Sequence, residues 1–92
     1  MRTIWKKALQ PRDDIELLLP VNATVFHVGL DADGQMSMWF FVPDTEAPKS
    51  ERVFHVYGTG NPIMQAEHRI AYRGSVTLPP FVWHVFEEVR AT

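Results

Sequence analysis

Three histidines stand in near-identical surroundings: Val25-Phe26-His27-Val28, Val53-Phe54-His55-Val56 and Val82-Trp83-His84-Val85, with starts 28 and 29 residues apart. Three imidazoles converging on one point would make a zinc site with one open position, or a general-base cluster. That chemistry needs the three segments to be adjacent and in register, with ring nitrogens about 2.0–2.1 Å from one metal. The plainer reading is that each histidine is an amphipathic side chain on a half-buried strand, hydrogen-bonded to a neighbour. No cofactor is implied by either the composition or the spacing.

The turn Tyr57-Gly58-Thr59-Gly60-Asn61-Pro62-Ile63 is the second candidate. Two glycines around a threonine can point successive backbone N–H groups at one anion. A dinucleotide fingerprint would need a third glycine and a following helix, and Pro62 intervenes instead. The alternative is a tight turn with positive φ at Gly58 or Gly60.

Arg69 and Arg73 are four apart in one predicted strand and would share a face. Such a pair can clamp a phosphate or carboxylate, with Arg52 on the preceding strand nearby. Tyr72, Trp39, Trp83 and Tyr57 offer rings on which a base could stack. Surface ion pairs to Glu51, Glu67 or Glu87 are the alternative use of these arginines.

The carboxylates carry less. Asp31 and Asp33 belong to a hairpin turn, Asp13-Asp14 precedes a strand, and Glu87-Glu88 closes one. None has the placement of a glycosidase pair or a calcium loop. No serine stands in a nucleophile-elbow context.

The elements that must hold these groups are strands. Each histidine word is β-branched or aromatic at three of four places. Seven strands are predicted, over residues 2–8, 15–19, 24–30, 35–42, 51–57, 68–78 and 81–89. Asp33-Gly34 signals a hairpin, Pro79-Pro80 a break, and Gly74 a bend in the sixth strand. Residues 63–67 read as one helical turn or a loop. No segment keeps a helical period. The expected fold is all-β: a compact antiparallel sandwich or small barrel, in one domain over residues 1–92.

Alternation assigns Phe26, Val28 and Leu30, Met36, Met38, Phe40 and Val42, Phe54 and Val56, and Phe81, Trp83 and Val85 to the core. The opposite face is also apolar, with Val25, His27, Trp39, Phe41, Val53, His55, Tyr57, Val82, His84 and Phe86. Strands apolar on both sides are covered on both sides. The expected second cover is another copy of the chain, so a homo-oligomer is anticipated.

Composition sets limits. The chain has 92 residues, 46% hydrophobic, no cysteine and a net charge of −2. No disulfide, thiolate nucleophile or thiolate metal site can form. The charge argues against non-specific nucleic-acid binding through a basic surface. No signal-peptide core is apparent, and no apolar run approaches the roughly 20 residues of a membrane helix.

Met1-Arg2-Thr3-Ile4-Trp5-Lys6, the segment Arg52-Val53-Phe54-His55-Val56-Tyr57-Gly58-Thr59-Gly60-Asn61-Pro62-Ile63, and Gly74-Ser75-Val76 with Phe81-Val82-Trp83-His84-Val85-Phe86-Glu87 together resemble a family of small phage and prophage proteins. The resemblance spans nearly the whole chain. In that family the glycine turn often carries histidine where this chain has Asn61. The resemblance implies no activity and no catalytic residues. It implies a setting, the cytoplasm of an infected bacterial cell, where small β-proteins counter host defence.

The expectation is a binder rather than an enzyme, one that sequesters a small anionic, nucleotide-derived defence signal without cleaving it. Tyr57, Gly58, Thr59, Gly60, Asn61, Arg69, Arg73, Trp83 and His84 would form the site, with no metal. The alternatives are an inhibitor of a host defence protein or virion accessory acting through the Trp39/Phe41 face, and a His-based metal hydrolase.

Overall fold

The computed structural model describes residues 1–12 and 14–89. Asp13, one of the acidic candidates, lies outside them. Seven strands are present: β1 (Thr3–Ala8), β2 (Ile15–Pro20), β3 (Thr24–Leu30), β4 (Met36–Val42), β5 (Lys49–Gly58), β6 (Ile70–Leu78) and β7 (Phe81–Glu88). A 3-10 turn, Glu67–Arg69, leads into β6. All pairings are antiparallel, in a three-stranded sheet ordered β1-β4-β3 and a four-stranded sheet ordered β2-β5-β7-β6. The two sheets stack as a sandwich and do not close into a barrel. Among the described residues, no helix is long and apolar enough to cross a membrane.

Alternation along each strand selects the inner faces. Met36, Met38, Phe40 and Val42 of β4 meet Phe54 and Val56 of β5, Val85 of β7 and Leu19 of β2. Phe40 and Phe54, one from each sheet, pack edge to face with ring centres 6.1 Å apart. Trp5 closes one margin under the ammonium groups of Lys7 and Lys49, 5.4 and 5.8 Å from its ring.

At the other margin β3 and β6 come together. A Cβ on Gly74 would lie 2.8 Å from Cβ of Val28, so only glycine permits this approach. The bend expected at Gly74 is a bulge between Tyr72 and Gly74, which leaves Arg73 out of the β7 pairing.

Glu87 follows Val85 onto the inner face and is buried there. It accepts hydrogen bonds from Arg52 Nε and Nη2, at 2.6 and 2.9 Å, and from Arg73 Nε at 2.9 Å. Arg52 Nη1 also donates to the carbonyl of Ala23, tying the four-stranded sheet to the segment entering β3.

Three residues expected in the core are outside it. A bulge between Val25 and His27 turns Phe26 outward, 54% exposed, and sends Val25 inward instead. Leu30 ends its strand exposed. Phe81 is 58% exposed at the first position of β7, beside the Pro79-Pro80 turn.

The second cover is also partly internal. Tyr57 is buried on the outer face of the four-stranded sheet, and its hydroxyl donates to Gln65 of the segment between β5 and β6. His55, 1% exposed on the same face, lies between Asp14 and Glu88. The outer face of the three-stranded sheet keeps its apolar groups open, with Ile4 57% and Phe41 40% exposed.

Candidate functional site

The strand order separates the histidines. His27 pairs with Trp39 on the outer face of the three-stranded sheet, their rings 5.2 Å apart. His55 and His84 lie on the outer face of the other sheet, across the molecule. Among the described residues, no group of three or more His, Cys, Asp or Glu side chains could hold a metal ion. The convergence considered from the repeated word does not occur, because β3 belongs to a different layer from β5 and β7.

The outer face of the four-stranded sheet gathers polar chemistry in rows. Tyr57, His84 and Ser75 face one another across β5, β7 and β6; His55, Phe86 and Tyr72 form the next row. His84 is held at both ring nitrogens. Thr59 Oγ1 is 2.6 Å from Nε2, and Ser75 Oγ is 2.7 Å from Nδ1. Ser75 Oγ is in turn 2.5 Å from the hydroxyl of Tyr72. A neutral imidazole donates at one nitrogen and accepts at the other, so the chain Thr59–His84–Ser75–Tyr72 runs in one direction. Among the described residues its imidazole meets hydroxyls at both nitrogens and no carboxylate, unlike a hydrolase triad. Its effect is to fix the Tyr72 ring.

That ring floors a pocket. Tyr72 and Phe86 pack edge to face, with centres 5.6 Å apart. Ile63, Gln65, Glu67 and Ile70 complete the walls around a volume of about 610 Å³. This volume suits one small organic ligand. The segment leading to β6 supplies the polar side. Gln65 Oε1 accepts from Tyr57, leaving the two N–H groups of its amide without a hydrogen bond among the described residues. The Glu67 carboxylate has no ion pair among them either. His68 and Arg69 follow directly in the same turn, and the Arg69 side chain is exposed, with no ion pair among the described residues.

The glycine turn sits beside this face but is not a donor nest. Thr59 N–H donates to the carbonyl of Val82, and Asn61 N–H to that of Gly58. Both donors therefore close the turn. Gly60 holds φ of +91°. Gly58 serves close packing, since a Cβ there would meet Trp83 at 3.2 Å.

Trp83 lies on the inner side of β7, opposite to His84, and packs against the core, while its edge lines a second cavity of about 390 Å³ with Tyr57, Asn61, Pro62 and Arg12. Arg69 and Arg73 do not form a clamp. Arg69 precedes β6 in the 3-10 turn, and Arg73, at the bulge, is committed to Glu87. The expected set thus splits: Tyr57, Thr59 and His84 share one face, Gly58, Gly60 and Asn61 form the adjoining turn with Trp83 beside it, Arg69 stands in the turn before β6, and Arg73 is committed to Glu87. Gln65 and Glu67 were invisible in the sequence as site residues. Their sole signal was the ambiguous stretch 63–67 just before a strand.

Residues 1–92 match the family described as Domain of unknown function (DUF7352), and the chain belongs to that family. No curated protein and no solved structure matches the chain.

Proposed function

We propose that the protein is a binding module for a small nucleotide-like ligand, which it sequesters without cleaving. The observation that supports this best is the pair of aromatic rings of Tyr72 and Phe86 in a pocket also lined by the Gln65 amide and the Glu67 carboxylate. Flat heterocycles bind by stacking on such rings while their edges meet hydrogen-bonding side chains. The anionic part of the ligand would lie outside the pocket, toward His68 and Arg69. A phosphate inside it would face Glu67 and be repelled.

The setting proposed is an infected bacterial cell, on the strength of the resemblance to phage proteins. There, removal of a nucleotide signal would blunt host defence. A thermal-shift screen of nucleotides tests the binding reading. Ligand at 100 times Kd should add about 2.7 kcal/mol of stability. No stabilisation by any nucleotide would overturn it.

A second reading has its own observation. Ile4, Phe41 and Phe26 leave apolar surface open on or beside the outer face of the three-stranded sheet. That surface favours a protein contact, either a second copy of this chain or a host defence protein.

A further inference from the structure

We propose that the free edge of β2 is a docking site for an extended segment of another protein, which joins the four-stranded sheet as an added strand. Two open sheets leave four edge strands, and three of them are guarded. β1 carries Lys6 and Lys7, charges that discourage pairing along an edge. β3 and β6 close on each other at Val28 and Gly74, and a bulge interrupts each of them. β2 has none of these devices. It pairs with β5 in unbroken register from Ile15 to Pro20. Among the described residues, no backbone hydrogen bond reaches the other side of residues 15–19. A flat, apolar edge of this kind is a template for one more strand.

The side chains of β2 say which strand fits. Alternation turns Ile15, Leu17 and Leu19 toward the core, and Glu16 and Leu18 outward. Leu18 is 59% exposed, and Glu16 is the sole charged residue of the strand.

Glu16 works against the simplest occupant, a second β2. Antiparallel self-pairing must set outward residues opposite outward ones. Over the length of the strand, Glu16 can then meet only Asp14, a second Glu16, Leu18 or Pro20 of the copy. The first two oppose like charges, and the last two leave the carboxylate beside an apolar group. A foreign strand with lysine or arginine at that position removes both penalties. Read antiparallel to β2, such a strand carries apolar residues opposite Leu19, Leu18, Leu17 and Ile15, and its cation opposite Glu16. Main-chain hydrogen bonds supply the affinity, and this pattern the specificity.

Fluorescence anisotropy of the full chain tests this with a labelled peptide, Thr-Val-Leu-Val-Lys-Val-Thr, and with the same peptide carrying glutamate for lysine. The lysine peptide should bind about 2- to 30-fold more tightly, the combined effect of one favourable and one like-charge cross-strand pair. Glu16→Lys, a change at an exposed position, should reverse that order and leave the circular dichroism unchanged. The backbone amide resonances of β2 should shift on binding, and those of β1 and β6 should not. Equal binding of the two peptides, an order that Glu16→Lys leaves as it was, shifts confined to another edge, or binding of neither peptide would overturn the proposal. Hydrogen-exchange protection of the β2 amides that grows with protein concentration alone would assign the edge to a second copy, and would overturn it as well.

Discussion

Arg52 Nε lies 2.6 Å from Oε2 of Glu87, and both side chains face into the sandwich. Burial pushes the Glu87 carboxyl up, but hydrogen bonds and charge from Arg52, and then from Arg73, outweigh it and hold the group below the usual glutamate range. A hydrophobic core of this size thus contains a charged cluster at one end, joining β5, β6, β7 and the entry to β3.

Removing Glu87 should be costly and pH-dependent. Glu87→Gln leaves Arg52 without its counter-charge, for an expected loss of about 3 kcal/mol at neutral pH. A carboxyl depressed in the folded state contributes stability above its unfolded value and loses it as pH falls through the folded one. Urea melts of the two proteins should therefore differ at pH 7 and converge in acid. Parallel pH profiles would show that the ion cluster contributes nothing.

Gly74 fixes how closely β6 approaches β3. Gly74→Ala should cost about 1–3 kcal/mol through overpacking against Val28. The clash is with both Cβ at 2.8 Å and Cγ2 at 2.9 Å, so Val28→Ala should give only partial relief. Val28→Gly should show favourable coupling in a double-mutant cycle. Additive losses in that cycle would mean the two strands adjust freely.

The open face of the three-stranded sheet should mediate self-association. Light scattering at micromolar concentration is expected to give a mass above the 10.6 kDa of one chain. Phe41→Glu should return it to that value without changing the β-type circular dichroism. A monomeric native protein would leave the face to a different partner.

Much of the fold was legible because strand chemistry is local. Thr24–Leu30 and the three histidine words announce their strands by residue type, and Asp33-Gly34 announces its hairpin. Asp31 reinforces that turn, its carboxylate accepting from the N–H groups of Asp33 and Gln35 at 2.9 Å each. Sidedness was less legible. One extra residue at Phe26 reverses the faces on either side of it, and that bulge is set by pairing with β4 rather than by Phe26 itself. Arg73 was misread for the same reason, at the β6 bulge. The pocket was half legible: Tyr72 and Phe86 read as strand aromatics. Gln65 joins them through a contact with Tyr57, which no local pattern announces.

The strand order also governs how the chain is made. The neighbours β3 and β4, and likewise β6 and β7, pair as soon as each hairpin is complete. By contrast β1 pairs only with β4, and β2 only with β5, which ends at Gly58. At about 5–20 residues per second of synthesis, β2 waits ~2–8 s for its partner. Leu17 and Leu19 have no partner strand during that interval, and Trp5 has none until β4 is made, so the earliest strands to leave the ribosome wait longest for shelter. Biogenesis, more than the finished sandwich, is where this protein is most exposed to chaperones and to misassembly.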